Sequence, residues 1–195
     1  MVSDSTLFDF FNRTRFSPLF KDISEKNVCM IDLSGENKDL AHYDILLTNE
    51  LNSYIQLRIK KENVQFGAGG YLEIRSVYQN SSLFGSGETS RTIHLGIDIW
   101  CEPNTQLFCP YDAIVHSYNN NDQFKDYGPT IILEHSINDI KFYTLYGHLA
   151  KSSLNDLFPG RKYKSGEPLA RIGNSDENGA WPPHLHFQIM KDMIC

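Results

Sequence analysis

Hydrophobic positions change their rhythm about a third of the way along the chain. In YDILLTNELNSYIQLRIKKE, Ile45, Leu46, Leu51, Ile55 and Ile59 recur at intervals that predict an amphipathic helix. STLFDFF predicts a shorter helix capped at Ser5, with Leu7, Phe8 and Phe11 on one face. KNVCMIDLS between them reads as a short buried strand. From about residue 63 the apolar runs shorten and alternate. VQFGAGGYLEIRSVY shows two strand-like runs around a glycine-rich turn. TQLFCPYDAIVHSY, PTIILEH, IKFYTLYGHL, EPLARIG and HLHFQIM are rich in β-branched and aromatic residues, with Gly, Pro, Asn and Asp between them. YKSGEP ahead of LARIG carries the turn chemistry of a hairpin. The pattern predicts a mainly β fold, an antiparallel sandwich or barrel over residues 63–195, preceded by a mixed α/β segment over residues 1–62.

Composition narrows the function classes. A length of 195 residues suits one medium domain with an N-terminal elaboration. A formal charge of -6 argues against general nucleic-acid binding, which calls for a basic face. The apolar runs are too short for a membrane span. MVSDSTLFDFFNRTRFSPLF lacks a basic n-region and an unbroken apolar stretch, so it is not a signal peptide. The expected location is therefore the cytoplasm, unless an export signal lies outside this sequence. Cys29, Cys101, Cys109 and Cys195 form no Cys-x-x-Cys pair, and free thiols are favoured over a Cys101–Cys109 bridge.

Four of the seven histidines can be read together with one aspartate: His94 and Asp98 in HLGID, His148 in YGHL, and His184 and His186 in HLH. Residues i and i+2 of a strand share a face about 7 Å apart, so His184 and His186 can reach one small pocket while Leu185 and Phe187 face a core. In a straight strand His94 and Asp98 would stand about 13 Å apart, too far to share an ion. A bend at Gly96 would bring His94 back toward Asp98. Two imidazoles and a carboxylate suit zinc, and three protein ligands leave a fourth position for water, the mark of a catalytic site. Zinc lowers the pKa of that water toward about 7, and two further histidines can handle its proton. Taken singly, a strand histidine is more often a hydrogen-bonded surface or core residue, and His42, His116 and His135 are assigned to that class. The ordered set is what raises the other five above chance.

HLGIDIW, YTLYGHLA, YKSGEPLARIGNS and PPHLHFQI resemble, in order, the motifs of the lysostaphin-type (LytM-like) zinc metallopeptidases, the peptidoglycan endopeptidases. The resemblance spans roughly residues 91–190. It implies a β-fold of the duplicated hybrid motif type with a groove over the metal. It also implies a Zn2+ cofactor and hydrolysis of peptide bonds in peptidoglycan stems or cross-links by a zinc-bound water. By motif, His94, Asp98 and His186 would be the metal ligands, and His148 and His184 the catalytic pair. The substrate partner would be peptidoglycan or another peptide, and the family role would place the protein in the periplasm or at the cell surface. The lead-in GNSDENGAWPPHLHF departs from the short, small-residue form usual in the family, and this segment, which carries Trp181 and a second proline, is expected to border the groove. Two alternatives stay open: a non-catalytic, groove-binding or regulatory member, and a zinc hydrolase with a cytosolic, non-wall substrate. A lipoyl- or biotinyl-carrier reading fails for want of a lysine displayed on a tight hairpin. The sequence leaves open the oligomeric state and whether residues 1–62 pack, cover the groove or bind a partner.

Overall fold

The second half of the chain runs back and forth through one large sheet. A computed structural model describes residues 4–75 and 93–193. Its strands are β1 (Val28–Met30), β2 (Phe66–Gly69), β3 (Ile97–Trp100), β4 (Gln106–Phe108), β5 (Ala113–Asn121), β6 (Gly128–Ile137), β7 (Ile140–Gly147), β8 (Lys162–Tyr163), β9 (Pro168–Arg171) and β10 (His184–Met190). Eight of them form a sheet in the order β1-β2-β3-β10-β7-β6-β5-β8, and β4 and β9 pair separately. All pairings are antiparallel except β1 with β2. The expected mainly β architecture is therefore what the chain adopts.

Strand alternation gives the large sheet two different faces. On one, Leu185, Tyr146, Ile131 and Leu133 meet Leu107 of β4 and Leu169 of β9, forming a core in which all six residues are buried. The other face carries the histidines. Helix α2 (Thr48–Glu62) lies on this second face: Leu51, Tyr54, Ile55 and Ile59 cluster with Ile31, Leu33, Trp100 and Trp181. It ends at Asn63, whose left-handed backbone (φ 53°) lets its N–H close on Ile59 and Lys60. Helix α1 (Asp4–Arg13) packs Phe10 against Tyr111 and Phe142, with ring centroids 5.8 and 5.6 Å apart.

Several local expectations need correcting. The second helix starts at Thr48, so Ile45 and Leu46 precede it, although both still pack on its core. Ser5 lies inside the first turn of α1 rather than capping it, and Phe8 is exposed while Leu7, Phe10 and Phe11 face the protein. The i, i+3, i+4 spacing from Leu7 explains this choice of face. Gly67 and Gly69 belong to β2 rather than to a turn. A Cβ on Gly67 would lie 2.7 Å from Ile31 Cγ1, so these glycines admit close packing, and the turn begins at Gly70 (φ 100°). Residues 76–78 of that second run lie outside the described residues. YKSGEP does turn, with the Glu167 N–H bonded to the Lys164 carbonyl at 3.0 Å, but its flanking strands do not pair with each other. β8 joins β5 in the large sheet and β9 joins β4. Cys29, Cys101 and Cys109 are free thiols.

His135 sits fully buried in the core, its Nδ1 3.1 Å from the Asp112 carbonyl and its Nε2 2.7 Å from the Thr144 hydroxyl. Burial pulls its pKa down to about 4, partly opposed by the Asp112 carbonyl. The folded state thus holds it neutral while the unfolded chain protonates below its ordinary value. Stability from this group is intact above the unfolded pKa of 6.5 and falls as pH drops toward 4. The expected loss is about 3 kcal/mol. Urea unfolding of wild type and His135→Gln at pH 7 and pH 4 checks this. The variant should lose less stability on acidification, and identical losses would show that His135 is charged in the fold.

Candidate metal centre and active site

One row across the large sheet builds the centre. Gly69 of β2, Asp98 of β3, His186 of β10 and Gly147 of β7 are successive cross-strand partners. Side chains in such a row project from the same face. Glycines at both ends admit close neighbours: a Cβ on Gly69 would run into the Ile31 carbonyl, and one on Gly147 would lie 3.0 Å from the Tyr127 ring. The next row pairs Gly67, Trp100 and His184, and the Trp100 and His184 rings stack 5.9 Å apart. The His-Leu-His alternation thus places both histidines on the site face and Leu185 in the core.

His94 reaches the row through the bend. The backbone turns at Gly96 just before β3 begins, which brings His94 Nε2 within 3.2 Å of Asp98 Oδ1. His94 Nε2 is 2.9 Å from His186 Nδ1, which is 3.2 Å from the same Asp98 oxygen. Three donor atoms therefore face one another at 2.9–3.2 Å. A tetrahedral zinc with bonds of about 2.0–2.1 Å has ligand–ligand edges of about 3.3 Å. The donor set and its spacing fit a zinc ion, and His94, Asp98 and His186 form the candidate metal site among the described residues.

The surroundings orient each donor. His94 Nδ1 lies 2.7 Å from the Gly70 carbonyl, which can only accept, so Nε2 presents its lone pair to the site. Among the described residues no such bond orients His186, whose Nε2 is buried without a hydrogen-bond partner there. Packing holds this ring instead: Tyr127 meets it edge-on at 5.0 Å, and Gly96 lies against its far edge. Asp98 is 2% exposed. Burial pushes its carboxyl toward protonation, but Arg75 above all, then His184 and His94, outweigh burial and hold its pKa well below the usual range. Arg75 Nη1 bonds Asp98 Oδ2 at 2.5 Å, its Nε bonds Glu73 at 2.6 Å, and Glu73 accepts the Leu33 N–H at 2.8 Å. A ligand carboxylate is thereby linked to the N-terminal segment.

His148 and His184 stand side by side, ring centroids 4.2 Å apart. Each Nδ1 donates to a carbonyl, His148 to Asn178 at 2.9 Å and His184 to Pro182 at 2.7 Å, which leaves both Nε2 atoms as acceptors. Burial lowers both pKa values, that of His184 to about 4; the His184 ring lowers that of His148 further, while Asp98 and the Pro182 carbonyl partly oppose the fall at His184. Both are neutral bases at pH 7. His184 Nε2 is 3.6 Å from Asp98 Oδ1. His148 has a left-handed backbone (φ 62°), an uncommon conformation for a histidine, fixed by its N–H on the Tyr127 carbonyl at 2.7 Å.

All five residues singled out in the sequence line one cavity of about 280 Å³. Trp181 lines it as expected, and so do Leu33 and Leu51 from the N-terminal segment. Sequence reasoning missed Arg75, Lys125 and Tyr127, which share this cavity. No motif spacing marks them. A tyrosine ahead of Gly128 and an arginine ahead of the first histidine were the only signals available.

A Cβ on Gly96 would lie 2.6 Å from both His186 Cε1 and Nε2. Gly96→Ala should therefore displace the ring and weaken zinc binding at least about tenfold, in the range seen when groups supporting a metal ligand are lost. Competition with a chromogenic chelator measures this. His94→Ala and Asp98→Ala should each abolish the expected one zinc per chain, and stoichiometric zinc in either variant would place the site elsewhere.

No curated protein matches the chain. Among solved structures, the catalytic domain of lysostaphin from Staphylococcus simulans is similar at 17% identity and TM-score 0.49, over 73% of this chain and 88% of that one. A zinc-containing peptidase from Vibrio cholerae is similar at 22% identity and TM-score 0.41. That match covers 53% of this chain, which spans only 28% of the Vibrio protein. LytU is similar at 24% identity and TM-score 0.42, over 57% of this chain and 70% of that one. The model of peptidase family M23 matches residues 92–194, which take in all five residues of the cluster. The chain belongs to peptidase family M23, and its cofactor is zinc.

Proposed function

We propose that this chain is a metalloendopeptidase that hydrolyses peptide bonds in bacterial peptidoglycan, in stems or cross-links. One juxtaposition carries the proposal: three donor atoms at zinc spacing stand beside two histidines whose Nε2 lone pairs are free to take a proton. His94 through Nε2, Asp98 through Oδ1 and His186 through Nδ1 would hold the ion. A zinc held there would supply Lewis-acid polarisation of a carbonyl and a water of lowered pKa, toward about 7. His184 and His148 supply the proton path: an Nε2 accepts the proton of the attacking water and returns it to the leaving amine nitrogen. The carbonyls of Pro182 and Asn178 keep both rings in the tautomer this needs. Residues 63–195 are assigned to the peptidase domain. Residues 1–62 are assigned to its groove wall, through Leu33 and Leu51.

Digestion of purified sacculi by the zinc-loaded protein should release soluble fragments whose masses locate one cleaved peptide bond. His148→Ala should retain its zinc while turnover falls by about 10²–10⁴. Unchanged turnover in that variant would remove His148 from the proton path. Intact sacculi alongside cleaved non-wall peptides would move the substrate out of the wall, and no cleavage of either would leave a binding module.

A further inference from the structure

Lys125 is a buried cation that the proton path leaves unused. It is 4% exposed and lines the same cavity as the metal ligands. Its ammonium donates to Thr48 Oγ1 at 3.2 Å and to the Ala180 carbonyl at 3.1 Å, and it sits 4.1 Å from the centre of the Trp181 ring. Every one of these partners is neutral. An ammonium has three N–H donors, and among the described residues two acceptors meet it. Among the described residues no carboxylate pairs with it. Asp126, next in the chain, spends Oδ1 on the Tyr127 N–H instead. Burial without an anion pulls the Lys125 pKa down to about 8. Burying a charge is costly unless it is paired, so this arrangement is completed only by an anion that arrives with a ligand.

The position says what kind of ligand. Trp181 separates Lys125 from the catalytic pair, its ring centroid 6.3 Å from His184 and 6.1 Å from His148. A group bound at Lys125 therefore shares one cavity, walled by Trp181 and Leu51, with the catalytic pair. Building on the peptidase proposal, we propose that Lys125 receives a carboxylate of the substrate, so that the enzyme prefers peptides carrying a free carboxylate on a residue beside the scissile bond. An α-carboxylate at a chain end and a side-chain carboxylate offer the same chemistry to the ammonium.

Matched peptides separate these sources and test the site. One pair differs only in a C-terminal carboxylate or carboxamide, and a second only in a side-chain carboxylate or carboxamide. For one pair, wild type should cleave the acid at least about tenfold faster in kcat/KM, through a lower KM, as expected for a hydrogen bond to a charged group. The pair that shows the preference identifies the source. Lys125→Met should bring that ratio to about one and Lys125→Arg should keep most of it. A wild-type ratio near one in both pairs, or a ratio unchanged in Lys125→Met, would overturn the proposal. If Lys125 only ties Thr48 to Ala180, the methionine variant would lower both members of each pair equally. Tryptophan fluorescence gives an independent readout, with Kd measured for each peptide on the zinc-loaded His148→Ala protein with and without Lys125→Met. Tighter binding of the acid that disappears without Lys125 supports the site even if no peptide is cut, and equal Kd values for acid and amide overturn it.

Discussion

A carboxylate with 2% exposure can stay ionised only if positive or donor groups surround it, and Asp98 organises the structure around that requirement. Arg75 covers one oxygen, and His94, His184 and His186 gather at the other. The compensating groups come from three separate stretches of chain, so the charge can form only when the bend at Gly96, the β3–β10 pairing and the segment carrying Arg75 are all in place. A divalent ion adds to this compensation at the oxygen where the histidines already converge. Arg75 stays on the other oxygen, which leaves the ligand atom itself free for metal.

The sheet separates stability from chemistry by its pleat. Leu185 anchors β10 in a dry core while its neighbours His184 and His186 face the cavity. Glycines at positions 69 and 147 of the same row let Ile31 and Tyr127 pack closely at its two ends. The N-terminal segment then closes one side. It contributes Leu33 and Leu51 to the cavity wall, and its Thr48 hydroxyl reaches the Ala180 carbonyl at 2.6 Å.

Much of this site was legible in the sequence, because its main geometry is local. His-x-His on a strand fixes one face by period two, and the glycine between His94 and Asp98 is where the chain had to bend. The partners of those residues were not legible. Arg75 is 23 positions from Asp98 and Lys125 is 77 from Thr48, and no periodicity links such pairs. The YKSGEP hairpin failed for a related reason. Turn residues specify a reversal of direction but not which strands pair afterward, and here the flanking strands found partners in two different sheets. Gly67 and Gly69 looked like turn formers, whereas the close approach of Ile31 is what excludes a side chain there.

The parallel pairing of β1 with β2 matters for more than the groove. β2 is Phe-Gly-Ala-Gly, with almost no side-chain bulk to obstruct another backbone, and β1 satisfies its outer edge. A chain shortened to begin after β1 would bare a smooth row of amide and carbonyl groups, a template on which further copies could add strand upon strand. By covering that edge, β1 moves the open side of the sheet to a strand of only three residues, too short to template a long ladder.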